Sequence, residues 1–148
     1  MDCQQHKAGD DIEALTSAAE AGSPEAMERL VAIYGNGDAT RRDYGKAAVW
    51  AERLYGLRRE SLGETHPDTL SSLRDLALCT HNCTHFTAAA RLYEEAWRLH
   101  REAFGEDHRL TLSTLRNLIR VHRRLDNHQR ARELTDLYDE IWGRRHKI

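Results

Sequence analysis

The densest run of potential metal ligands is Cys79-Thr80-His81-Asn82-Cys83-Thr84-His85, with a ligand type at every second position. Zinc takes four thiolate or imidazole ligands in a tetrahedron, and loop cysteines in such sites are commonly roughly two to four residues apart. On a helix, Cys79 and Cys83 would share a face while His81 points away. The four converge only if the chain turns around the metal. The competing reading is that Cys79 packs as a small apolar residue and the others lie in or near an exposed turn. No metal or other cofactor is expected, and a small metal-binding regulatory module is kept as an alternative.

The nine histidines are scattered. His66 and His108 recur at equivalent places and read as helix-start residues. No nucleophile elbow, glycine-rich phosphate loop or paired zinc-binding histidine motif is present. No catalytic residue is assigned, and the chain is not expected to be an enzyme. The arginines are more suggestive. Arg116, Arg120, Arg123 and Arg124 crowd one short stretch together with Asn117. A guanidinium is a planar fork that grips a carboxylate two-pronged, so an acidic peptide is the natural complement. The plainer reading is a solvated helix face balanced by Glu102, Glu106, Asp107 and Asp126. Arg144, Arg145, His146 and Lys147 extend the basic character, and nucleic acid or another polyanion is an alternative ligand. The absence of an aromatic stacking row and a formal net charge of −2 weigh against it.

The elements that must carry these groups are helices. The chain has 148 residues, 40% hydrophobic and 31% charged, with two prolines, Pro24 and Pro67. That length suits one domain with one continuous core, and the wealth of Leu, Ala, Glu and Arg favours helix over sheet. No apolar run approaches the ~20 residues needed to cross a bilayer. The opening Met1-Asp2-Cys3-Gln4-Gln5-His6 has no apolar segment of the kind a secretory signal requires. An odd set of cysteines, Cys3, Cys79 and Cys83, points to a reduced, cytoplasmic compartment.

The strongest signal is an internal repeat. His66 and His108 lie 42 positions apart, and the same offset aligns Arg59 through Leu76 with Arg101 through Leu118. It also pairs Tyr44 with Phe86, Ala47 with Ala89, Ala89 with Ala131 and Leu92 with Leu134. A fixed period with helical spacing inside each copy means stacked helical hairpins. Leu70, Leu73, Leu76 and Ala77 share one face, as do Leu112, Leu115, Leu118 and Ile119. Ala89, Tyr93 and Ala96 form a second stripe. Gly63 and Gly105 suit a left-handed residue after a helix, and Pro67 the first turn after a capping His66. Seven helices are expected, near 10–21, 24–35, 43–62, 67–81, 85–104, 109–125 and 128–142. Residues 1–9 would be a flexible N-terminus and 10–148 a single repeat domain.

The junction Leu62-Gly63-Glu64-Thr65-His66-Pro67-Asp68-Thr69-Leu70 resembles that of kinesin-light-chain-type tetratricopeptide repeats, and the following helix pair fits their pattern of large and small residues. Upstream, Ile33-Tyr34-Gly35-Asn36-Gly37 and Asp43-Tyr44-Gly45-Lys46-Ala47 resemble a Sel1-type repeat. The resemblance implies an all-α, right-handed superhelical solenoid whose first helices line a concave groove for a partner's peptide or helical segment. Two positions depart from the pattern. Arg109 stands where Pro67 stands in the earlier copy, and His128 occupies the aromatic place of Tyr44 and Phe86. The groove residues implied are Arg74, Arg116, Asn117, Arg120 and Arg123. Charge reversal at Arg116 and Arg120 should then weaken binding more than at Arg58 and Arg59. A chaperone-tail clamp is not implied, because Ala32 and Asp75 replace two of its polar positions although Asn36 and Asn117 match. The expected function is that of a non-catalytic scaffold or adaptor. The apolar end formed by Ile141, Trp142 and Ile148 suggests weak self-association.

Overall fold

The computed structural model describes residues 11–147, and among them the chain forms seven helices and no strand. These are α1 (Ile12–Glu20), α2 (Pro24–Asn36), α3 (Tyr44–Leu62), α4 (Pro67–Asn82), α5 (Phe86–Phe104), α6 (Arg109–Arg124) and α7 (His128–His146). Every start except that of α5 is capped by a side chain. Asp11 accepts from the amides of Glu13 and Ala14 at 3.1 and 3.2 Å, which places the first helix start after Asp11. His66 and His108 do the same through Nδ1, from Asp68 and Leu110 at 3.1 and 3.2 Å. Because the cap is the histidine, Arg109 begins its helix as well as Pro67 does, and both helices run 16 residues.

The ends hold two surprises. Gly63 and Gly105 have positive φ, at 93° and 95°, but ψ of 162° sets them in the extended region open essentially to glycine alone. The left-handed residues proper are Thr84 (φ 65°) and Asp126 (φ 56°), just beyond α4 and α6. There the His85 amide donates to the Thr80 carbonyl and that of Asn127 to the carbonyl of His122, closing both helices in the same way. The last helix runs past the expected 142 because its final turn is anchored. Arg144 pairs with Glu106 at 3.0 Å and Arg145 donates to the Asp107 carbonyl at 2.7 Å.

Each helix packs on its predecessor and its successor, as stacked hairpins must. One core gathers side chains of α1 to α5, a second those of α4 to α7, and Leu92 touches both. Leu73 and Leu115, one period apart, are wholly buried, each contributing ~1.5–3 kcal/mol of apolar burial. On α5 the buried Ala89 and Ala96 leave room for Tyr93 between them.

Arg58 ties three helices together. It donates to Ser72 Oγ at 2.8 Å and to Glu28 at 3.1 Å, and its side chain is only 13% exposed. It is therefore no free surface charge, and its use as a neutral comparator for the groove is corrected on that ground. Arg59 is exposed and keeps that role.

Candidate partner-binding groove

The first helices of the hairpins, α2, α4 and α6, meet in two successive intervals. Between α2 and α4 lies a cleft of about 190 Å³. Val31, Ala32 and the exposed Leu78 supply its apolar wall, and Glu28, Asn36 and Asp75 its polar rim. Among the described residues the Asp75 carboxylate has neither a hydrogen bond nor an ion pair. Burial raises its pKa, which the charges of Arg74 and Arg58 oppose and that of Glu28 reinforces. Cys79 closes the floor, and burial pushes its thiol up to about 11, so it stays protonated and unreactive.

The second interval, between α4 and α6, has the opposite sign. His81 projects from α4 with its ring edge-on to Phe86 and Tyr93, at 5.2 and 6.4 Å between centroids. Burial lowers its pKa, and the charges of Arg120 and Arg124 lower it further. Tyr93 is pushed up to about 12 by burial, against the pull of Arg120 and Arg74. Cations of both helices thus act on the interval, Arg74 from α4 and Arg120 and Arg124 from α6. Arg120 also donates to Asn117 Oδ1 at 3.5 Å.

Of the residues expected from the sequence, Arg120 bonds to Asn117 and acts with Arg74 on Tyr93, and Arg120 and Arg124 act together on His81. Arg123 instead lines a recess against α7 with His128, Ala131 and Asp136. Arg116, seven residues earlier, shares that side of the helix. The sequence named the inner face but not how successive stripes divide between neighbouring intervals. Helical register alone sets Asp75 and Leu78, three residues apart, on one face of α4, whereas the α2 wall had no sequence signal beyond the mismatch to a chaperone clamp at Ala32.

The charge inventory sharpens the picture. On the other helices Arg58 pairs with Glu28, Arg98 with Glu64 and Glu102, Arg130 with Glu94 and Glu133, and Arg144 with Glu106. Arg53 and Arg101 lie over Trp50 and Trp97. Among the described residues Arg74, Arg116, Arg120, Arg123 and Arg124 form no ion pair, and on the outer helices Arg59, Arg91 and Arg132 form none either.

The cysteine–histidine run does not converge. Cys79 is buried, Cys83 half-buried, His81 sits on the aromatic rings, and His85 is exposed at the α5 start. Among the described residues no group of three or more His, Cys, Asp or Glu is placed to hold a metal ion. At the far end Ile141 belongs to the core, which corrects its assignment to an exposed apolar end. Among the described residues the large apolar side chain exposed there is Trp142, at 45%, stacked between Tyr138 and His146. Cys3 and Ile148 lie outside the described residues. Among the described residues no helix is long and apolar enough to cross a membrane.

Comparison with known proteins agrees with the helical-repeat fold. The tetratricopeptide repeat family model matches residues 69–110, from the start of α4 to the start of α6. No curated protein matches the sequence. Among solved structures the chain is similar to the nearly identical TPR-like repeats of a putative kinesin light chain from Podosopora anserina. The TM-score is 0.72 at 19% identity, over 93% of this chain and 68% of that one. A variant of the same protein, with one glutamine replaced by methionine, gives 0.69 at 19% identity, over 90% and 66%. Residues 69–110 therefore match a tetratricopeptide repeat, and the chain has the helical-solenoid fold of those TPR-like repeats.

Proposed function

We propose that this chain is a non-catalytic scaffold that holds an acidic segment of a partner protein in the interval between α4 and α6. The observation that carries the reading is the set of arginines there without an intramolecular acid, beside outer helices whose arginines are largely engaged. A cation left unpaired beside an exposed groove is free to meet a carboxylate of another chain. Arg74, Arg120 and Arg124 are the core of the site, with Asn117 beside them and Arg116 and Arg123 extending it toward α7. The reading takes residues 10–148 as a single repeat domain, residues 23–54 as its Sel1-like member, and a reducing, cytoplasmic setting that suits the two free thiols among the described residues.

The test is selection from a random peptide library on the wild-type chain and on the Arg120→Glu/Arg124→Glu variant, with Arg59→Glu as comparator. Acid-rich peptides should be retained by the wild type and by Arg59→Glu and lost on the double variant. Retention on the double variant would refute the site. Should an unstructured polynucleotide bind instead, with affinity collapsing steeply between low and moderate salt, the polyanion alternative would stand in its place.

A further inference from the structure

The two intervals of the groove differ in sign, and this bears on what a bound segment must look like. The inference rests on the groove reading above and refines it. In the α4–α6 interval a partner's carboxylates meet Arg74, Arg120 and Arg124. In the neighbouring α2–α4 cleft they would meet Asp75 and Glu28 instead. Glu28 already shares its charge with Arg58 at 3.1 Å, whereas Asp75, with Arg74 and Arg58 as the cations that act on it, has no hydrogen bond or ion pair among the described residues. A carboxylate drawn partly out of water without a hydrogen bond is costly, and an incoming cation offsets that cost. The cleft walls supply the rest. Val31, Ala32 and Leu78 can cover the methylene stem of a long basic side chain while its head reaches the carboxylate.

We propose that the groove reads a partner segment of mixed charge, with a lysine or arginine in the α2–α4 cleft against Asp75 and acidic residues in the α4–α6 interval. Adjacent packed helices lie ~8–10 Å apart, so the basic residue precedes or follows the acids by about three residues of extended chain. A nucleic-acid strand fits poorly, because its evenly spaced phosphates would lie against Asp75 and Glu28 as well as the arginines. Charge complementarity selects a peptide.

The experiment compares peptides selected from the random library on the wild type and on Asp75→Asn. Wild-type selection should return acidic runs with a basic residue about three positions away, and Asp75→Asn should return the acidic runs without it. A selected peptide is then resynthesised with norleucine for its basic residue. Fluorescence anisotropy should show a five- to tenfold loss of affinity for the wild type, about what a half-desolvated charge pair supplies. The same change should make no difference on Asp75→Asn. Acidic runs lacking a basic companion, an equal affinity for the norleucine peptide, or an undiminished loss on Asp75→Asn would each overturn the inference and leave the scaffold reading standing. Failure to select acidic peptides at all would overturn both. The norleucine comparison uses only the wild-type chain, so it decides even if Asp75→Asn does not fold.

Discussion

Replacing Arg58 with alanine should destabilise the chain by ~2 kcal/mol, and the structure says where that comes from. The bond to Ser72 Oγ at 2.8 Å joins a charged donor to a neutral acceptor in a part-buried setting, and losing such a bond costs ~1.5–3 kcal/mol. The Glu28 pair adds less, ~0.2–1 kcal/mol, because the glutamate is 57% exposed and water replaces its partner. The approach to the Asp68 carbonyl, at 3.4 Å, is too long to count for much. Ser72 is not orphaned, since its hydroxyl still donates to the Asp68 carbonyl at 3.0 Å. That keeps the total near the lower end of the range. For a chain of this size the melting temperature should fall by about 4–8 °C, read by circular dichroism. Glu28→Ala should cost under ~1 kcal/mol, and the exposed Arg59→Ala less than about 0.5 kcal/mol. If Arg58→Ala melted with Arg59→Ala, or Glu28→Ala cost as much as Arg58→Ala, the three-helix tie would be an incorrect account of this contact.

Two other outcomes follow from particular side chains. His100 is 2% exposed, its Nδ1 lies 2.6 Å from the Ala96 carbonyl, and burial lowers its pKa below the ordinary histidine value. The neutral ring is thus favoured in the folded state, so its stabilising contribution is present above about pH 6.5 and is lost as pH falls toward the lowered pKa. His100→Gln should flatten the pH dependence of unfolding free energy below pH ~6.5, by up to ~1.4 kcal/mol per pH unit, and identical slopes would refute the assignment. Thr84 holds a left-handed φ of 65° that a β-branched residue resists. Thr84→Gly should relieve ~1–2 kcal/mol of strain and add back ~0.5–1 kcal/mol of backbone entropy cost, a net gain visible as a small rise in melting temperature. Asp126→Gly should gain less, because aspartate tolerates that region, and a Thr84→Gly chain that melts lower would show the strain argument to be misplaced.

Helix number and order were legible because they follow from periodicity and from caps that act locally. His66 and His108 are an instance, where a repeated histidine before a leucine-spaced run was enough to place two helix starts. The non-glycine left-handed residues were not legible, since Thr84 and Asp126 have no shared chemistry that announces a turn. The groove was half legible. Register put Arg74, Asn117 and Arg120 on the first helices. It could not say that Arg123 turns toward α7 while Arg124 and His81 turn toward each other, because that depends on how two helices sit side by side. Arg58 was misjudged for the same reason, its partners coming from helices 14 and 30 residues away in sequence.

One register position shows why the repeat constrains shape more tightly than chemistry. Steps of the 42-residue period carry Arg58 to His100 and then to Trp142. At the first, with α4 packed alongside, a guanidinium bonds to Ser72 on that helix. At the second, the side chain is an imidazole bonded to its own helix and set beside Phe104, at 5.9 Å between ring centroids. At the third, among the described residues no further helix follows, and an indole stands 45% exposed between Tyr138 and His146. The backbone demands only that something fill the space between a second helix and the helix that comes next. Guanidinium, imidazole and indole all occur there, and whether each serves stability or remains at the surface is decided by its neighbour. The same logic separates the two groove intervals, where Asp75 and Asn117 occupy equivalent positions on α4 and α6 and different electrostatic surroundings. A solenoid of this kind can therefore change what it binds one interval at a time, without disturbing the caps and buried leucines that hold the stack together.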